Sequence, residues 1–187
     1  MRTRRFAFLA PGMVSSKTSK MPTSSLSSFE FRKALGHFTT GVTVVTIERE
    51  PGKIHGMTAN SFTSVSLDPM LILVCVDHRA NMYSLLQKKK QFGLSVLKQN
   101  QQAISEYFAK REHSAEAEQR LGIHFRRTPS GAPVIDGTLL QMSCKVISSH
   151  VAGDHTIFIA EVEYAEMEEG EPLLYFRGEY RKIARHS

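Results

Sequence analysis

The feature that most constrains this chain is the stretch from Gly56 to Pro69, GMTANSFTSVSLDP, which mixes strand-forming residues with small hydroxyls. Five of its residues are serine or threonine, and it leads into the wholly apolar run Leu71–Val76. An ordinary half-buried strand alternates apolar and polar side chains, so that one face is dry. Here both faces carry short donors and acceptors. Two interpretations follow: a strand whose hydroxyls face water, or the wall of a site for an oxygen-rich ligand such as a phosphate with its sugar or ribityl chain.

The net charge of +6 comes from the beginning of the chain. Residues 1–29 contain five cations and no acid, which leaves 19 cations against 18 acids in the remainder. The sequence therefore predicts no nucleic-acid partner. No apolar run is long enough to span a membrane, and no membrane association is predicted. The composition of residues 1–26 fits a transit peptide, a disordered extension or a start codon assigned too far upstream, and the last two are favoured. Residues 27–187 are predicted to form one domain.

The sequence contains no obvious constellation for nucleophilic or metal chemistry. Its eight histidines show no metal-ligand spacing, and no metal site is predicted. Both cysteines, Cys75 and Cys144, lie in apolar strand patterns and outside any CxxC motif. They are interpreted as reduced core residues, which favours a cytoplasmic protein.

The predicted fold begins with a helix. Residues 27–30 have the form of a capping box, and Phe31, Leu35 and Phe38 then recur at helical spacing. This pattern predicts an amphipathic helix that packs on a core and ends at Gly41.

Strands dominate the rest of the chain, and they follow one another rather than alternating with helices. The pattern predicts a hairpin of residues 42–48 with the Gly56 stretch, joined by a turn at 51–52. It also predicts that Leu71–Val76 is buried on both faces. About seven strands with three or four short helices favour a mainly β fold, a closed antiparallel barrel with peripheral helices. Further strands are predicted at 91–97, 139–147 and 156–166, and helices near 82–90 and at 103–108, the latter capped by Asn100.

Four separated segments together resemble the short-chain flavin reductases in order and spacing. They are Phe31–Thr46, Gly56–Pro69, Gly153–His155 and Leu173–Tyr180, and the resemblance extends from about residue 29 to about residue 183. It implies a split β-barrel of the FMN-binding type, usually a homodimer. It also implies an NAD(P)H:flavin oxidoreductase that supplies reduced FMN or FAD to a partner monooxygenase acting on an aromatic compound. The alternative is a non-catalytic flavin- or haem-binding barrel.

The resemblance also implies a flavin site. Three segments, given at the end of this paragraph, would form it. The first lies beside the isoalloxazine ring, the second hydrogen-bonds the polar edge of the ring, and the third holds the ribityl chain and the phosphate. Phe92 matches a position near the flavin, and core packing explains it equally well. The three segments are Thr40, Gly41 and Val42; then Ala59, Asn60 and Ser61; then Ser64, Val65 and Ser66.

The nicotinamide site implied by the resemblance lies at Gly153, Asp154 and His155, with His155 as the catalytic residue beside the nicotinamide. A neutral imidazole can donate a hydrogen bond there without adding positive charge. Arg177 and Tyr180 are expected to meet the dinucleotide, or simply to close the barrel. No GxGxxG motif is present, so a Rossmann site for the NADH or NADPH is not indicated.

One segment departs from the family pattern. The family commonly shows a motif like DRRSRT, whose serine and threonine help to hold the phosphate, whereas this chain has Asp77–Met82. Ala80 and Met82 lack those hydroxyls, which leaves the choice between FMN and FAD open, with FMN favoured. In place of the missing hydroxyls, the phosphate could be held by the positive charge of Arg79 or of Lys88–Lys90, or by the amide of Asn81.

Overall fold

The computed structural model describes residues 26–184, which contain four helices and twelve strands. The helices are α1 (Ser28–Leu35), α2 (Asn81–Lys89), α3 (Gln102–Phe108) and α4 (Ala115–Arg120). The first six strands are β1 (Thr40–Gly41), β2 (Thr43–Glu50), β3 (Lys53–Ala59), β4 (Phe62–Leu67), β5 (Met70–Asp77) and β6 (Gln91–Val96). The others are β7 (Phe125–Arg127), β8 (Pro133–Ile135), β9 (Leu140–Ala152), β10 (His155–Met167), β11 (Leu174–Phe176) and β12 (Glu179–Arg181).

Seven strands form one antiparallel sheet in the order β3-β2-β6-β9-β10-β5-β4. The sheet curls around a core to which most of its strands contribute, including Val45, Val74, Phe92, Met142 and Phe158. The mainly β prediction is confirmed. Within residues 26–184, the edge strands β3 and β4 do not pair with each other, so the barrel is split rather than closed by hydrogen bonds.

The Gly56–Pro69 stretch forms two strands rather than one. Strand β3 pairs with β2 across the turn at 51–52, as predicted, and ends at Ala59. The chain then changes direction at Asn60, and β4 pairs with the apolar strand β5. On β5 only Ile72, Val74 and Val76 are buried, so the prediction that both faces are buried is wrong. The reason is that only the inner face of the curled sheet meets the core.

Helix α1 begins at the predicted capping box, in which the Glu30 backbone N–H donates to Ser27 Oγ at 3.2 Å. It ends at Leu35 with Gly36 as its C-cap, and the predicted end at Gly41 is therefore six residues too late. No residue of α1 is buried, and the side chains of its apolar face are exposed. The prediction that this helix packs on a core of its own chain is therefore wrong.

Helices α2 and α3 pack against the sheet. Helix α2 buries Met82 and Leu86 in the barrel core. Helix α3 packs Tyr107 and Phe108 into a second apolar cluster outside the barrel. It begins after Gln101, so Asn100 is not its N-cap. None of the helices in residues 26–184 is long and apolar enough to cross a bilayer.

Candidate functional site

Four strand ends of the main sheet meet at one corner, which we call the Asn60 corner. Thr43 begins β2 opposite Ala59, the last residue of β3, and its hydroxyl donates to the Ala59 carbonyl oxygen at 2.6 Å. Ser61 is tied to β5, because its hydroxyl donates to the Cys75 carbonyl oxygen at 2.7 Å. Asn60 lies exposed between these two anchored residues. The corner therefore holds its backbone in place while the Asn60 amide faces outward.

The turn between β9 and β10 lies against the same corner. Gly153 has a φ of +64°, a conformation that favours glycine, and the turn places His155 opposite Asp77 at the end of β5. The His155 Nδ1 is 2.7 Å from Asp154 Oδ1, and this hydrogen bond lowers the pKa of Asp154. Since a carboxylate only accepts, Nδ1 carries the proton. The Nε2 atom of this half-buried imidazole is then free to meet a ligand.

The small sheet of β1, β11 and β12 connects to the corner through α3. Thr40 pairs with Tyr175, which pairs in turn with Tyr180. The Tyr180 hydroxyl lies 2.9 Å from Ser105 Oγ, and Thr58 donates to the Ser105 carbonyl oxygen at 2.7 Å. Because Thr58 precedes Ala59, this chain of contacts joins Thr40 and Tyr180 to the Asn60 corner.

Thr40 carries a buried hydroxyl oxygen that has no hydrogen-bond partner within residues 26–184. Gly41 is exposed beside it, and Val42 is buried. Buried polar groups are normally satisfied, so the Thr40 oxygen suits a polar atom of a bound ligand.

Arg177 lies at the tip of the β11–β12 hairpin with a φ of +53°. Its backbone N–H donates to the Gly36 carbonyl oxygen at 2.8 Å, and its guanidinium donates to His37 Nε2 at 2.7 Å. The Arg177 guanidinium is thus engaged with the chain at the end of α1.

Two groups of predicted site residues lie away from the corner. Ser64, Val65 and Ser66 are on β4, where Ser66 pairs with Leu71 at the far end of β5 from Asp77. Six residues of strand separate Leu71 from Asp77, roughly 20 Å at the usual rise. The Phe92 side chain is fully buried in the barrel core.

A cavity of about 370 Å³, which we call the first cavity, opens beside the corner. Asp77 and residues 79–82, which lead into α2, form much of one wall, and residues 55–58 and 108–111 form the others. Gly56 is required here, because a Cβ atom at this position would lie 2.4 Å from the Phe108 ring.

The first cavity has the character of an anion site. Helix α2 has no side-chain cap, and the Tyr83 N–H donates to the Ala80 carbonyl oxygen, which leaves the backbone N–H groups of Asn81 and Met82 for a ligand. Arg79 is paired with Asp77 at 2.6 Å, which holds the pKa of that carboxyl well below its usual range. Lys110 and Arg111 also line the cavity, and neither forms an ion pair within residues 26–184. Sequence reasoning missed these two cations because they stand in a polar stretch without periodicity.

The comparisons with known proteins agree with one another. A model of the flavin reductase like domain family matches residues 35–184. An NADH-dependent flavin reductase from Rhodococcus is 40% identical over 154 residues, which cover 81% of this chain and 84% of the relative. The styrene monooxygenase flavin reductase of Pseudomonas putida superposes with a TM-score of 0.75 at 36% identity, covering 84% of this chain and 99% of that one. The NADH:FAD oxidoreductase of Streptomyces globisporus, in complex with NAD and FAD fragments, gives 0.76 at 37% identity over 83% and 92% of the two chains.

Proposed function

Since the chain belongs to the flavin reductase like domain family, we propose that it is an NAD(P)H:flavin oxidoreductase. It reduces FMN or FAD and supplies the reduced flavin to a partner monooxygenase that acts on an aromatic compound. The observation that carries this proposal is the Asn60 corner, where Asn60 and His155 lie beside a cavity lined by Lys110 and Arg111, and to which Thr40 is connected through Tyr175, Tyr180 and Ser105.

The residues present fit a flavin. When bound, the flavin accepts a hydride from the reduced nicotinamide, so the chain must bind and align two molecules rather than supply a nucleophile. The exposed Asn60 amide offers both the donor and the acceptor that the polar edge of the ring requires. Ala59 and Ser61 fix the backbone on either side of it. Thr40 contributes a hydroxyl oxygen that the protein itself leaves unsatisfied.

We place the flavin phosphate in the first cavity and not along Ser64–Ser66. The backbone N–H groups at the start of α2 and the unpaired cations Lys110 and Arg111 compensate for the hydroxyls that are missing at Ala80 and Met82. Helix N-termini and cations both favour a phosphate. Ser64–Ser66 lie too far along β5 from Asp77 to share the same phosphate.

His155 orients the nicotinamide. Asp154 holds the proton on Nδ1, so a neutral imidazole would accept a hydrogen bond from the carboxamide N–H₂ at Nε2, rather than donate one there as the sequence led us to expect. Arg177 and Tyr180 hold the surrounding structure, since Arg177 is bonded to His37 and Tyr180 to Ser105. Phe92 supports the site only as part of the core.

The functional unit is a homodimer in the cytoplasm, with its domain at 27–187. The outer face of the β5–β10 pair supports the dimer, since Leu71, Leu73, Ile157 and Ile159 are half-buried there and pack against neither apolar cluster. The exposed apolar face of α1 is a second surface that could contact another molecule.

The test is NADH consumption by the purified protein under air, with and without added FMN, FAD or riboflavin. Oxidation that saturates with a flavin is the expected result. If flavin binds and neither NADH nor NADPH is consumed, the protein is instead a non-catalytic flavin-binding barrel.

A further inference from the structure

His78, the residue that follows β5, is bonded to both chain neighbours of His155. Its backbone N–H donates to the Asp154 carbonyl oxygen at 3.1 Å, and its Nε2 atom lies 2.9 Å from Thr156 Oγ1. The pairing of β5 with β10 ends at Asp77 and His155, so these two hydrogen bonds continue the contact past the last pair. His78 therefore holds the backbone on both sides of the residue that we place beside the nicotinamide.

The bond to Thr156 lies inside the protein. Thr156 is 2% exposed, and the His78 imidazole supplies a hydrogen-bond partner for its hydroxyl. The imidazole also packs on the Tyr83 ring, with the centroids 4.8 Å apart, and Tyr83 packs on Phe158 of β10 at 6.2 Å. Because a buried hydroxyl without a partner is costly, and because the ring packs on Tyr83, the imidazole is held in one orientation.

On its other side, His78 leads into α2. Residues 79–82 follow it directly, and the backbone N–H groups of Asn81 and Met82 are those left for a ligand in the first cavity. Tyr83, on which the imidazole packs, is in the first turn of α2. His78 itself lines neither the first cavity nor a larger one of about 710 Å³ beside it. It therefore joins the start of α2 to the turn that carries His155 without forming a wall of either cavity.

We propose that His78 is a positioning residue for hydride transfer, because it fixes the His155 turn relative to the start of α2. The inference rests on the proposed function, in which Asn81 and Met82 meet the flavin phosphate and His155 meets the nicotinamide. In the reaction one hydride, with both electrons of its C–H bond, leaves the reduced nicotinamide and adds to the flavin. The reacting atoms must lie about 3–3.5 Å apart, so a small displacement of one cofactor against the other lowers the rate more than the affinity.

Three substitutions separate the hydrogen bond from the ring packing. His78→Phe keeps an aromatic ring against Tyr83 and removes the nitrogen that meets Thr156. Thr156→Val removes the same hydrogen bond from the other partner and keeps a side chain of the same shape. His78→Gln keeps a side-chain amide as a partner for the Thr156 hydroxyl. All three retain the backbone N–H that donates to Asp154.

Anaerobic stopped-flow reduction of the bound flavin, over a range of NADH concentrations, gives the limiting rate of hydride transfer separately from the apparent affinity for NADH. Calorimetric titration of the full chain gives the affinity for FMN and for FAD. We expect His78→Phe and Thr156→Val each to lower the limiting rate about tenfold or more, with the affinities within about twofold of wild type. His78→Gln should restore most of the rate. The control is His124→Phe, at an exposed histidine away from the corner, which should react like wild type.

The double variant with both His78→Phe and Thr156→Val should be no slower than either single variant, because both changes remove one contact. Losses that add in the double variant would show that the two residues act independently, and they overturn the inference. A limiting rate that stays at the wild-type value in His78→Phe overturns it too. If His78→Phe does not fold, Thr156→Val decides in the same way. A wild-type protein that reduces no flavin removes the proposed function itself, so that failure is distinguishable from a failure of His78 alone.

Discussion

His155 begins strand β10 directly opposite Asp77, the last residue of β5, and its Nδ1 lies 2.7 Å from Asp154 Oδ1. The antiparallel pairing fixes the position of the imidazole, and the carboxylate fixes its tautomer. Both constraints act on a side chain that is itself only half-buried. The arrangement is that of a group held ready to contact a ligand.

Replacing His155 by alanine should therefore affect the nicotinamide and spare the flavin. We expect His155→Ala to lower kcat/KM for NADH about tenfold or more, the usual effect of losing one oriented hydrogen bond. Flavin affinity should stay the same. The control is His124→Ala, which removes an exposed imidazole away from the corner. Identical kinetics for His155→Ala and wild type would exclude the role proposed for this residue.

Asn60→Ala removes the amide at the corner. Its hydrogen bonds to the ring exist before and during the reaction, so we expect the flavin KM to rise about tenfold while kcat changes less. Steady-state kinetics with varied flavin measures both parameters. Asn100→Ala, at an exposed position outside the corner, serves as the control. An unchanged KM with a collapsed kcat would mean that the role of Asn60 is misassigned.

Gly93 is a position where the fold tolerates no side chain. A Cβ atom there would lie 1.8 Å from the Pro133 carbonyl oxygen and 2.7 Å from Thr46 Oγ1. Thr46 also donates to that carbonyl at 2.6 Å, so a displacement breaks a buried hydrogen bond. We expect Gly93→Ala to reduce the free energy of unfolding by at least about 3 kcal/mol, measured by urea denaturation.

Gly41→Ala is the matched control for Gly93→Ala. A Cβ atom at Gly41 meets nothing within 4 Å, and this glycine is not among those with positive φ. We expect a stability change below about 0.5 kcal/mol. Because Gly41 lies in the predicted flavin site, the same variant should weaken flavin binding. A large loss of stability in Gly41→Ala would contradict this account of the corner.

The pattern of the sequence predicted most strands of the seven-stranded sheet, because apolar alternation reports directly on the inner face of the sheet, but it did not predict the short strands β1, β7, β8, β11 and β12. The hairpin of β9 and β10 and the buried Met142 and Cys144 follow from it. The same kind of pattern led to the wrong prediction that α1 packs on a core of its own chain. Phe31 and Leu35 are spaced for burial, yet no part of residues 26–184 buries them. An amphipathic pattern predicts that one face of a helix is buried, but it does not identify the segment or molecule that buries it.

For the candidate site, too, the sequence indicated some features, while others depend on long-range packing. The resemblance implied roles for Thr40, Asn60 and His155, and these remain predictions; the fold places Asn60 and His155 at one corner and connects Thr40 to it. The phosphate role implied for Ser64–Ser66 also remains a prediction, and their distance from Asp77 follows only from the register of β4 on β5. Lys110 and Arg111 reach the first cavity only through the packing of α3. Such long-range contacts leave no local signal in the sequence.

Acid should destabilise the protein through His55. Burial lowers the pKa of this histidine from 6.5 to about 4, so the folded state binds fewer protons than the unfolded state between those values. The contribution is therefore fully present above about pH 6.5 and is lost as the pH falls to about 4. We expect at most about 2 kcal/mol, because His55 is partly accessible to solvent.

Urea denaturation of wild type and His55→Gln at several pH values measures this contribution. The variant should lose less stability than wild type across that window, whereas the exposed control His124→Gln should behave like wild type. Equal pH dependence in His55→Gln and wild type would show that another group is responsible.

The last prediction concerns the outer face of the β5–β10 pair. Ile157 pairs with Cys75 and Ile159 with Leu73, and this apolar face packs against neither core cluster. If a second copy covers it, Ile157→Arg places an uncompensated charge in the interface and should shift the protein from dimer to monomer in sedimentation velocity. Leu121→Arg puts the same charge on an exposed leucine beside α4 and should leave the dimer intact. A wild-type protein that sediments as a monomer, or an Ile157→Arg variant that remains a dimer, would show that this face is not the interface. If the dimer persists in Ile157→Arg, the exposed apolar face of α1 is the next candidate for the interface, because no part of residues 26–184 buries its phenylalanines.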